Sequence, residues 1–408
     1  MKKTFLIVGG GHAGAQAVDT LRREGFDGRL VLIGDEAGLP YQRPPLSKKF
    51  LSGEITEERL PFRHQAFYDE HAVELVLGKR ARRLDPGSRS VEVDGGAKFD
   101  YDRLLLCLGA TSRRLSCMGA ELAGVHYLRT IRDAAAIAAD LKPGKRAVII
   151  GGGYIGLETA ATCRALGLEV TVLEMADRVM NRVVAPAVSD YFAAAHRAQG
   201  VKIICDTRVV ALEGPGRVAQ VVCADGSRLA ADVVIIGVGA LAVEDLAAQA
   251  GLRVDNGIVV DEHCRTADPA IFAAGDCANH PSPHYGTRVR LESVDNAFEQ
   301  SKAAAQNMLD RNVVHDRVPW FWSDQFAHKL LIVGLAAGHD QCVTRGDPDA
   351  GGFSICYLKN RELIALEAVD DSKDFMAARK LIASRAKFDP VKLRDKSQDL
   401  RESVLAAP

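Results

Sequence analysis

One glycine-rich pattern occurs twice in this chain, each time in the same local context. The first copy, GGGHAG, covers residues 9–14, and the second, GGGYIG, covers residues 151–156, 142 positions further on. An apolar stretch precedes each copy (4–9 and 146–151), a helix-forming stretch follows (about 12–25 and 154–167), and a second apolar stretch comes next (29–34 and 169–174). This order of strand, turn, helix and strand predicts two copies of a βαβ unit, and therefore an α/β fold with parallel sheets.

The glycines of each copy match a turn that binds the pyrophosphate of a dinucleotide. In such a turn the first glycine allows the sharp bend, the second lets the backbone approach the pyrophosphate, and the third lets helix and strand pack closely. The positions are filled by Gly9, Gly11 and Gly14 in the first copy and by Gly151, Gly153 and Gly156 in the second. Because the N-terminus of the following helix directs free N–H groups at the phosphates, each copy predicts an anion-binding turn.

An acidic residue ends the second strand of each copy. Asp35 lies 21 residues after Gly14, and Glu174 lies 18 residues after Gly156. Both spacings are close to the ~20 residues at which an acid binds the ribose hydroxyls of a dinucleotide. Two complete copies predict two dinucleotides. FAD and a nicotinamide dinucleotide form the economical pair, because a flavin converts a two-electron hydride into single electrons.

Length, charge and cysteine content limit the class of protein. The 408 residues suit two or three domains. The net charge of −1 argues against a molecule built to bind nucleic acid or an anionic membrane. No stretch reaches the ~18 apolar residues of a membrane span, and the apolar run at 5–8 is too short for a signal peptide. Nine scattered cysteines without a CxxC motif predict reduced thiols in a cytoplasmic protein.

Three more apolar strands that end at glycines complete the predicted α/β part of the chain. They are YDRLLLCLGA at 101–110, ADVVIIGVGA at 231–240 and TADPAIFAAGDCA at 266–278, the last ending in Gly275-Asp276. The first of these strands follows the first repeated unit along the chain, and the second follows the second unit. This layout predicts a discontinuous FAD-binding domain of residues 1–109 and 240–317, with an NADH-binding domain of residues 110–239 inserted into it.

The remaining residues, 318–408, differ in pattern from the repeated units. Short apolar runs at 320–326, 329–336, 353–360 and 362–369 are separated by turns, and a helical pattern covers 372–384. Short strands joined by turns predict an antiparallel sheet. We therefore expect a C-terminal α+β domain.

Further stretches make the chain similar to the FAD-dependent ferredoxin reductases of bacterial oxygenase systems. The resemblance is carried by GDEAGLPYQRPPLSK at 34–48, GGGYIGLE at 151–158, RLESVDNAFEQ at 290–300 and PWFWSDQF at 319–326. It implies FAD and NADH as cofactors and a [2Fe–2S] ferredoxin as a transient one-electron acceptor. The ferredoxin would serve an oxygenase, either a monooxygenase such as a P450 or a ring-hydroxylating dioxygenase. No metal site is expected in the chain itself.

The resemblance implies roles for two charged residues and several neighbours. Lys48 would lie beside the flavin ring and Glu158 near the nicotinamide, as a catalytic pair. A cation near the flavin stabilises its reduced anionic form, and a carboxylate limits the cost of burying that cation. The other implied cofactor contacts are Ala13, Ala81, Arg129, Tyr154, Ile155, Asp276, Val294 and Trp322, where Asp276 would bind the ribityl or pyrophosphate part of FAD and Trp322 would lie against the flavin.

Other functions on the same fold stay open at this point. A disulfide reductase would need cysteines near the flavin, but residues 1–106 contain none. A quinone reductase would need a membrane anchor, for which the tail KSQDLRESVLAAP is too polar. An NADH oxidase or diaphorase, and a non-enzymatic redox-sensing flavoprotein similar to apoptosis-inducing factor, remain alternatives. The basic clusters KRARR at 79–83 and SRR at 112–114 are candidates for docking an acidic ferredoxin, and a monomer and a weak dimer are both compatible with the sequence.

Overall fold

The computed structural model describes residues 2–405, which form two compact units. The first unit consists of residues 2–42, 58–111 and 241–319, and the second of residues 43–57, 112–240 and 320–405. The strands Ala110–Ser112 and Ala240–Ala242 and the 3₁₀ helix Glu57–Arg59 lie where the chain passes between units. Met1 and the last three residues of the predicted C-terminal domain lie outside the described residues.

A five-stranded parallel sheet organises the first unit. Its strands, in spatial order, are Ile271–Ala273, Arg103–Leu106, Thr4–Val8, Arg29–Ile33 and Val73–Val76. Alternate residues of the strand Thr4–Val8 enter two different apolar clusters, Phe5 and Ile7 one cluster, Leu6 and Val8 the other. Because side chains alternate across a strand and both faces are covered, the strand is apolar from Phe5 to Val8.

The remaining elements of the first unit cover this sheet or extend from it. The helices are His12–Arg23, Gln65–Glu70, Asp245–Gln249 and Val294–Met308. An antiparallel sheet is formed by Ala81–Asp85, Ser90–Val93 and Lys98–Asp100, and a mixed sheet by Ile258–Val259, Ala278–Ser282 and Thr287–Val289.

The second unit contains a parallel sheet of the same kind. Its strands, in spatial order, are Lys202–Ile204, Glu169–Leu173, Arg146–Ile150, Val233–Ile236 and Val125–Tyr127. An antiparallel sheet of Val209–Glu213, Gln220–Cys223 and Arg228–Ala230 matches the one in the first unit. The helices of this part are Ile131–Asp140, Tyr154–Ala165 and Pro186–Ala198, with the 3₁₀ helix Pro44–Ser47. The predicted repeat therefore extends beyond βαβ to the accessory sheet.

The C-terminal part of the second unit is a five-stranded antiparallel sheet. Its strands, in spatial order, are Trp320–Gln325, His328–Gly334, Glu362–Val369, Phe353–Lys359 and Gln341–Arg345. The helices Ser372–Ala383 and Pro390–Leu393 and the 3₁₀ helix Leu400–Ser403 follow. The strand Gln341–Arg345 is not predicted from the sequence, because it is a short edge strand with one face exposed and so carries little apolar signal.

The predicted fold class is confirmed: two Rossmann-like parallel sheets, each built on one glycine repeat, and a C-terminal α+β part. The division into an FAD-binding domain, an NADH-binding domain and a C-terminal domain stays a prediction, and the compact units group residues 112–240 with 320–405. Among residues 2–405, no helix has the length and apolar character needed to cross a membrane.

Candidate functional site

The first glycine loop, residues 9–14, needs glycine at its first and third positions for reasons internal to the protein. Gly9 has a φ of 119°, and a Cβ added there would lie 2.0 Å from the carbonyl oxygen of Cys107. A Cβ on Gly14 would lie 1.9 Å from the carbonyl oxygen of Gly9. No side chain fits at such distances, so these two glycines set the bend and the close approach of helix to strand.

The second glycine loop, residues 151–156, repeats this geometry. Gly151 has a φ of 105°, and a Cβ there would lie 2.3 Å from the carbonyl oxygen of Gly237. A Cβ on Gly156 would lie 2.0 Å from the carbonyl oxygen of Gly151. The same two positions are therefore restricted to glycine in both loops.

The middle glycines, Gly11 and Gly153, are different. Their φ angles are −88° and −78°, which any residue adopts, and a Cβ on either would meet nothing within 4 Å. Each is the N-cap of a 12-residue helix and makes no side-chain cap, and the N–H groups of a first helical turn have no acceptor within the helix. Open space beside the N-terminus of a helix fits a bound pyrophosphate, and both loops thus fit a dinucleotide.

The two predicted ribose-binding acids differ in position. Glu174 directly follows Leu173, which pairs with Ile150, whereas Gly34 holds the corresponding place after Ile33 in the first unit. Asp35 therefore lies one residue further on and is exposed. The Glu174 carboxylate accepts hydrogen bonds from the backbone N–H groups of Gly152 (2.7 Å) and Ala176 (2.9 Å), which hold it against the second glycine loop.

Lys48 and Glu158 meet directly, as the resemblance implied for a functional pair. Lys48 follows the 3₁₀ helix Pro44–Ser47, and Glu158 lies in the helix Tyr154–Ala165. The Lys48 Nζ lies 2.5 Å from Glu158 Oε2, and the Ser47 hydroxyl donates to the same oxygen at 2.7 Å. The Thr162 hydroxyl donates to the Ser47 carbonyl oxygen (2.8 Å), which fixes the 3₁₀ segment to the helix that carries Glu158.

The other carboxylate oxygen of Glu158 has a partner that sequence analysis did not identify. The Ser323 hydroxyl, on the strand Trp320–Gln325, donates to Glu158 Oε1 at 2.7 Å. Glu158 is only 6 % exposed and Lys48 22 %, so the ion pair is largely shielded from water. Ser47 and Ser323 both lie inside the stretches that carry the resemblance, and this was the only indication in the sequence that they belong to the site.

Four other predicted residues lie in the second unit. The Arg129 carbonyl oxygen accepts a hydrogen bond from Arg43 (2.8 Å), a residue of the same RPPLSK stretch as Lys48. Tyr154 packs on Phe321 with ring centroids 4.5 Å apart, while Ile155 is exposed. Trp322 is adjacent to Ser323 in its strand and so lies on the opposite face, where it packs against Trp320.

The remaining predicted residues lie in the first unit. Ala13 is buried and close to Gly275, where an added Cβ would lie 3.2 Å from the Ala13 Cβ. Gly275 donates its N–H to the Gln300 side chain (2.8 Å), which holds the turn that presents Asp276. Val294 is the first residue of the helix Val294–Met308, and Ala81 opens the strand Ala81–Asp85; both are partly buried.

The cysteines of the first unit lack the features of a reactive thiol. Cys107, Cys264 and Cys277 are buried in the first unit. Burial raises the pKa of Cys277 to about 11 and that of Cys107 well above its ordinary value, with Cys264 shifted the same way. Reactive cysteines have lowered pKa values and some exposure. All nine cysteines are free thiols, and no cluster of three or more metal-ligating side chains occurs within residues 2–405.

The chain belongs to the pyridine nucleotide-disulphide oxidoreductase family, whose model matches residues 3–301. A second model, described as reductase C-terminal, matches residues 320–404. The two matches cover both glycine loops and the C-terminal sheet.

Similar proteins align along nearly the whole chain. Rhodocoxin reductase from Rhodococcus erythropolis is 42 % identical over 403 residues, which are 98 % of this chain and 94 % of that protein. The ferredoxin reductase subunit of 5,5′-dehydrodivanillate O-demethylase from Sphingobium sp. is 41 % identical over 404 residues and 98 % of both chains. The crystal structure of a covalent putidaredoxin reductase–putidaredoxin complex contains a chain with a TM-score of 0.95 and 40 % identity, covering 98 % of this chain and 97 % of that one. The resemblance to oxygenase ferredoxin reductases is confirmed.

Proposed function

We propose that this protein is an FAD-dependent NADH:ferredoxin oxidoreductase, which passes electrons from NADH to a [2Fe–2S] ferredoxin that serves an oxygenase. The observation that carries the proposal is the duplicated glycine loop, with an open middle position at an uncapped helix N-terminus in each copy. Two such loops fit two dinucleotides. The names of full-length relatives, rhodocoxin reductase and a ferredoxin reductase subunit, support ferredoxin as the acceptor.

In this proposal the first unit binds FAD. The loop residues Gly9, Gly11, Ala13 and Gly14 hold the pyrophosphate, Asp35 the adenosine ribose and Asp276 the ribityl or pyrophosphate portion, with Ala81 and Val294 as backbone contacts. When bound, FAD accepts a hydride from NADH and releases the two electrons one at a time.

The second unit binds NADH through Gly151, Gly153, Tyr154, Ile155 and Gly156. Glu174 accepts hydrogen bonds from the ribose hydroxyls of the adenosine. Its carboxylate is held against the loop by two backbone N–H groups, and it would repel the 2′-phosphate of NADPH. The position of this fixed charge supports a preference for NADH.

Lys48 and Glu158 act on the hydride step. Lys48 supplies a positive charge for the reduced flavin, and Glu158 holds the Lys48 ammonium in one position through the 2.5 Å contact. Charge that is positioned before reaction stabilises developing charge without reorganisation. Arg129 and Trp322 are further proposed flavin contacts.

The thiols support an acceptor other than a disulfide, despite the name of the family. A disulfide reductase passes electrons through an accessible low-pKa cysteine, and the three cysteines of the first unit are buried with raised pKa values. Reduced, mostly buried thiols also support a cytoplasmic location.

The two basic clusters differ as docking sites for an acidic ferredoxin. In the cluster at 79–83, Arg82 pairs with Asp94 (2.6 Å) and Arg83 with Asp85 (3.6 Å), so much of its charge is balanced within its own hairpin. In the cluster at 112–114, Arg114 lies over the ring of Tyr127 at 4.1 Å. The observed ion pairs make the first cluster the weaker candidate.

The proposal is tested by NADH-driven reduction of cytochrome c with and without a panel of [2Fe–2S] ferredoxins. We expect a rate that depends strongly on one ferredoxin, falls with added salt because the encounter is electrostatic, and survives each single cysteine-to-serine change. A rate that is equally high without any ferredoxin would favour an oxidase or diaphorase, and rapid reduction of a disulfide would contradict the proposal.

A further inference from the structure

A chain of buried polar side chains runs from Glu158 into the interior of the second unit. Ser323 donates to Glu158 Oε1 at 2.7 Å, the Gln325 amide nitrogen lies 3.2 Å from the Ser323 Oγ, and the His196 Nε2 lies 3.0 Å from the Gln325 Oε1. Ser323, Gln325 and His196 are at most 1 % exposed. The chain joins the strand Trp320–Gln325 to the helices that carry Glu158 and His196.

The hydrogen atoms of this chain can have only one arrangement. A carboxylate only accepts, so the single Ser323 hydroxyl hydrogen points to Glu158 and its oxygen must accept from Gln325. The Gln325 nitrogen therefore faces Ser323 and its oxygen faces His196, so His196 carries its hydrogen on Nε2. The His196 Nδ1 has no hydrogen-bond partner among residues 2–405, which agrees with that tautomer.

In the first repeat, the position equivalent to Glu158 has no such series of hydrogen-bonded side chains among residues 2–405. Gln16, the residue 142 positions before Glu158, donates to Thr20 within its own helix at 3.0 Å. Gln16 is neutral and part-buried. A carboxylate supported by three donors is thus specific to the second repeat and is not a requirement of the fold.

We infer that Ser323, Gln325 and His196 form a one-directional hydrogen-bond chain that fixes the Glu158 carboxylate towards Lys48, with Ser323 as the positioning residue next to it. All donors in the chain point towards the carboxylate, and aligned hydrogen bonds polarise and strengthen one another. Ser323 holds one oxygen so that the other is presented to Lys48 and Ser47. The inference rests on the proposed role of Glu158 in NADH oxidation and names residues that set its orientation.

The neutral state of His196 makes the far end of the chain stable over a wide pH range. Burial lowers the pKa of His196 to about 4, with the neighbouring His328 acting in the same direction and the Gln325 hydrogen bond opposing. Near neutral pH, His196 is therefore an uncharged Nε2–H donor, whose tautomer reports on the chain.

The kinetic test compares three serine variants of the flavin-loaded enzyme. Ser323→Ala removes the contact to Glu158, and Ser323→Thr retains the hydroxyl. Ser354→Ala is the matched control, because Ser354 is also fully buried and donates to carboxylates, those of Asp371 (3.2 Å) and Asp374, away from Glu158. Stopped-flow mixing with NADH separates the limiting rate of flavin reduction from the apparent Kd.

We expect Ser323→Ala to lower the limiting rate about tenfold, the order of magnitude of a hydrogen bond to a charged group, with an unchanged apparent Kd for NADH. Ser323→Thr should restore the rate, and Ser354→Ala should change neither quantity. If Ser323→Ala does not fold, Gln325→Met interrupts the same chain one residue further away and should lower the rate less. Unchanged limiting rates in both variants would overturn the inference.

A second readout does not depend on turnover. In ¹⁵N-histidine-labelled enzyme near neutral pH, the His196 resonances should show the Nε2–H tautomer, identified by the signals lost in His196→Asn. Glu158→Ala and Ser323→Ala should both shift those resonances, because both residues are joined to His196 through Gln325, whereas Ser354→Ala should not. An Nδ1–H tautomer in the wild type, or His196 signals unmoved by both variants, would contradict the proposed hydrogen-bond chain from His196 to Glu158.

Failure of the inference and failure of the proposed function give different results. If the enzyme is ferredoxin-dependent but neither Ser323→Ala nor Gln325→Met affects flavin reduction, the proposed function stands and the inference about the hydrogen-bond chain is wrong. An enzyme without ferredoxin-dependent activity, but with a His196 tautomer that responds to Glu158→Ala, would keep the chain and lose the proposed acceptor.

Discussion

The two glycine repeats are alike where the backbone is constrained and unlike where chemistry is expected. In both loops the first and third glycines are enclosed by carbonyl oxygens, and the middle glycine faces open space. Four residues after Tyr154 the second repeat has Glu158, paired with Lys48, while the first repeat has Gln16, bonded within its own helix. The turn, which we propose to bind a dinucleotide, is thus the shared feature, and the two repeats differ in the side chains of the helix that follows it.

The residue one turn further along each helix shows the same separation. Thr20 accepts from Gln16 within the first helix, whereas Thr162, its counterpart 142 positions later, donates to the Ser47 carbonyl oxygen. The second helix therefore organises the segment that carries Lys48, in addition to its proposed role in nucleotide binding. A glycine loop alone does not define a reaction; the side chains of the following helix do.

The largest expected effect concerns the enclosed glycines. Gly14→Ala and Gly156→Ala should each lower the free energy of unfolding by about 2–3 kcal/mol, because the new Cβ would lie about 2 Å from a carbonyl oxygen and must displace backbone. Gly38→Ala is the control, since it meets nothing within 4 Å. Urea unfolding followed by circular dichroism measures all three, and wild-type stability in either loop variant would refute the equivalence of the loops.

A smaller effect separates the two acids. We expect Glu174→Gln to reduce the preference for NADH over NADPH, measured as the ratio of kcat/KM values, by about 5- to 150-fold, which corresponds to the ~1–3 kcal/mol of a partly solvated charge repulsion. Asp35→Asn should leave this ratio unchanged and weaken FAD binding instead. If the two variants behave alike, the acids do not serve different nucleotides.

The next prediction exchanges the residues that distinguish the helices. Glu158→Gln should slow flavin reduction by NADH by at least about tenfold, near 1.4 kcal/mol, because it removes the charge opposite Lys48 and leaves FAD in place. Gln16→Glu is the reciprocal change and should not alter that rate. Single-turnover mixing with NADH measures both, and an unaffected rate in Glu158→Gln would place the pair outside the hydride step.

The smallest effect is a difference in pH dependence between the units. Burial lowers the pKa of His315, in the first unit, to about 3, with His280 and Arg317 adding to the shift. Its stabilisation is present above pH ~6.5, the ordinary value for histidine, and is lost as the pH falls. Burial raises the pKa of Glu367, in the second unit, to about 7, against hydrogen bonds from Tyr357 and the Ala185 N–H.

For Glu367 the sign is reversed, because its protonated form is favoured in the folded state. Its stabilisation is present below pH ~4.5 and is lost as the pH rises towards 7. Between pH 5 and 6, His315→Gln should make the slope of unfolding free energy against pH more negative, and Glu367→Gln should make it more positive, each by at most about 1.4 kcal/mol per pH unit. Urea unfolding at several pH values tests this, and slopes of equal sign would count against it.

Much of the fold could be predicted because each repeat consists of sequence patterns that are local along the chain. Apolar strands, glycine spacing and the following helices lie within about 30 residues of one another, and the observed strands Thr4–Val8 and Arg146–Ile150 end within one residue of the predicted ones. The edge strand Gln341–Arg345 was missed because exposure on one face removes the apolar signal that identifies a strand.

The candidate site was predictable only in part, for a physical reason. Lys48 and Glu158 were named from the resemblance. Ser47 and Ser323, which donate to Glu158, and His196, which bonds to Gln325, were not named, because each of these hydrogen bonds joins segments more than 100 residues apart along the chain. Buried hydrogen bonds between distant segments leave no periodic pattern in a sequence. They become visible only when the sheet and helices bring the donors together.

The most direct test of the account is to fill the open middle position of each loop. Gly11→Ala and Gly153→Ala add a methyl group where the protein itself offers no obstacle, so both variants should keep wild-type stability. FAD binding is measured by titrating apoprotein, and NADH binding from the concentration dependence of flavin reduction. Gly11→Ala should weaken FAD binding, and Gly153→Ala should keep FAD bound while weakening NADH binding, each by at least about tenfold. Normal binding of both nucleotides by both variants, or the same nucleotide lost in each, would contradict the claim of two separate dinucleotide loops.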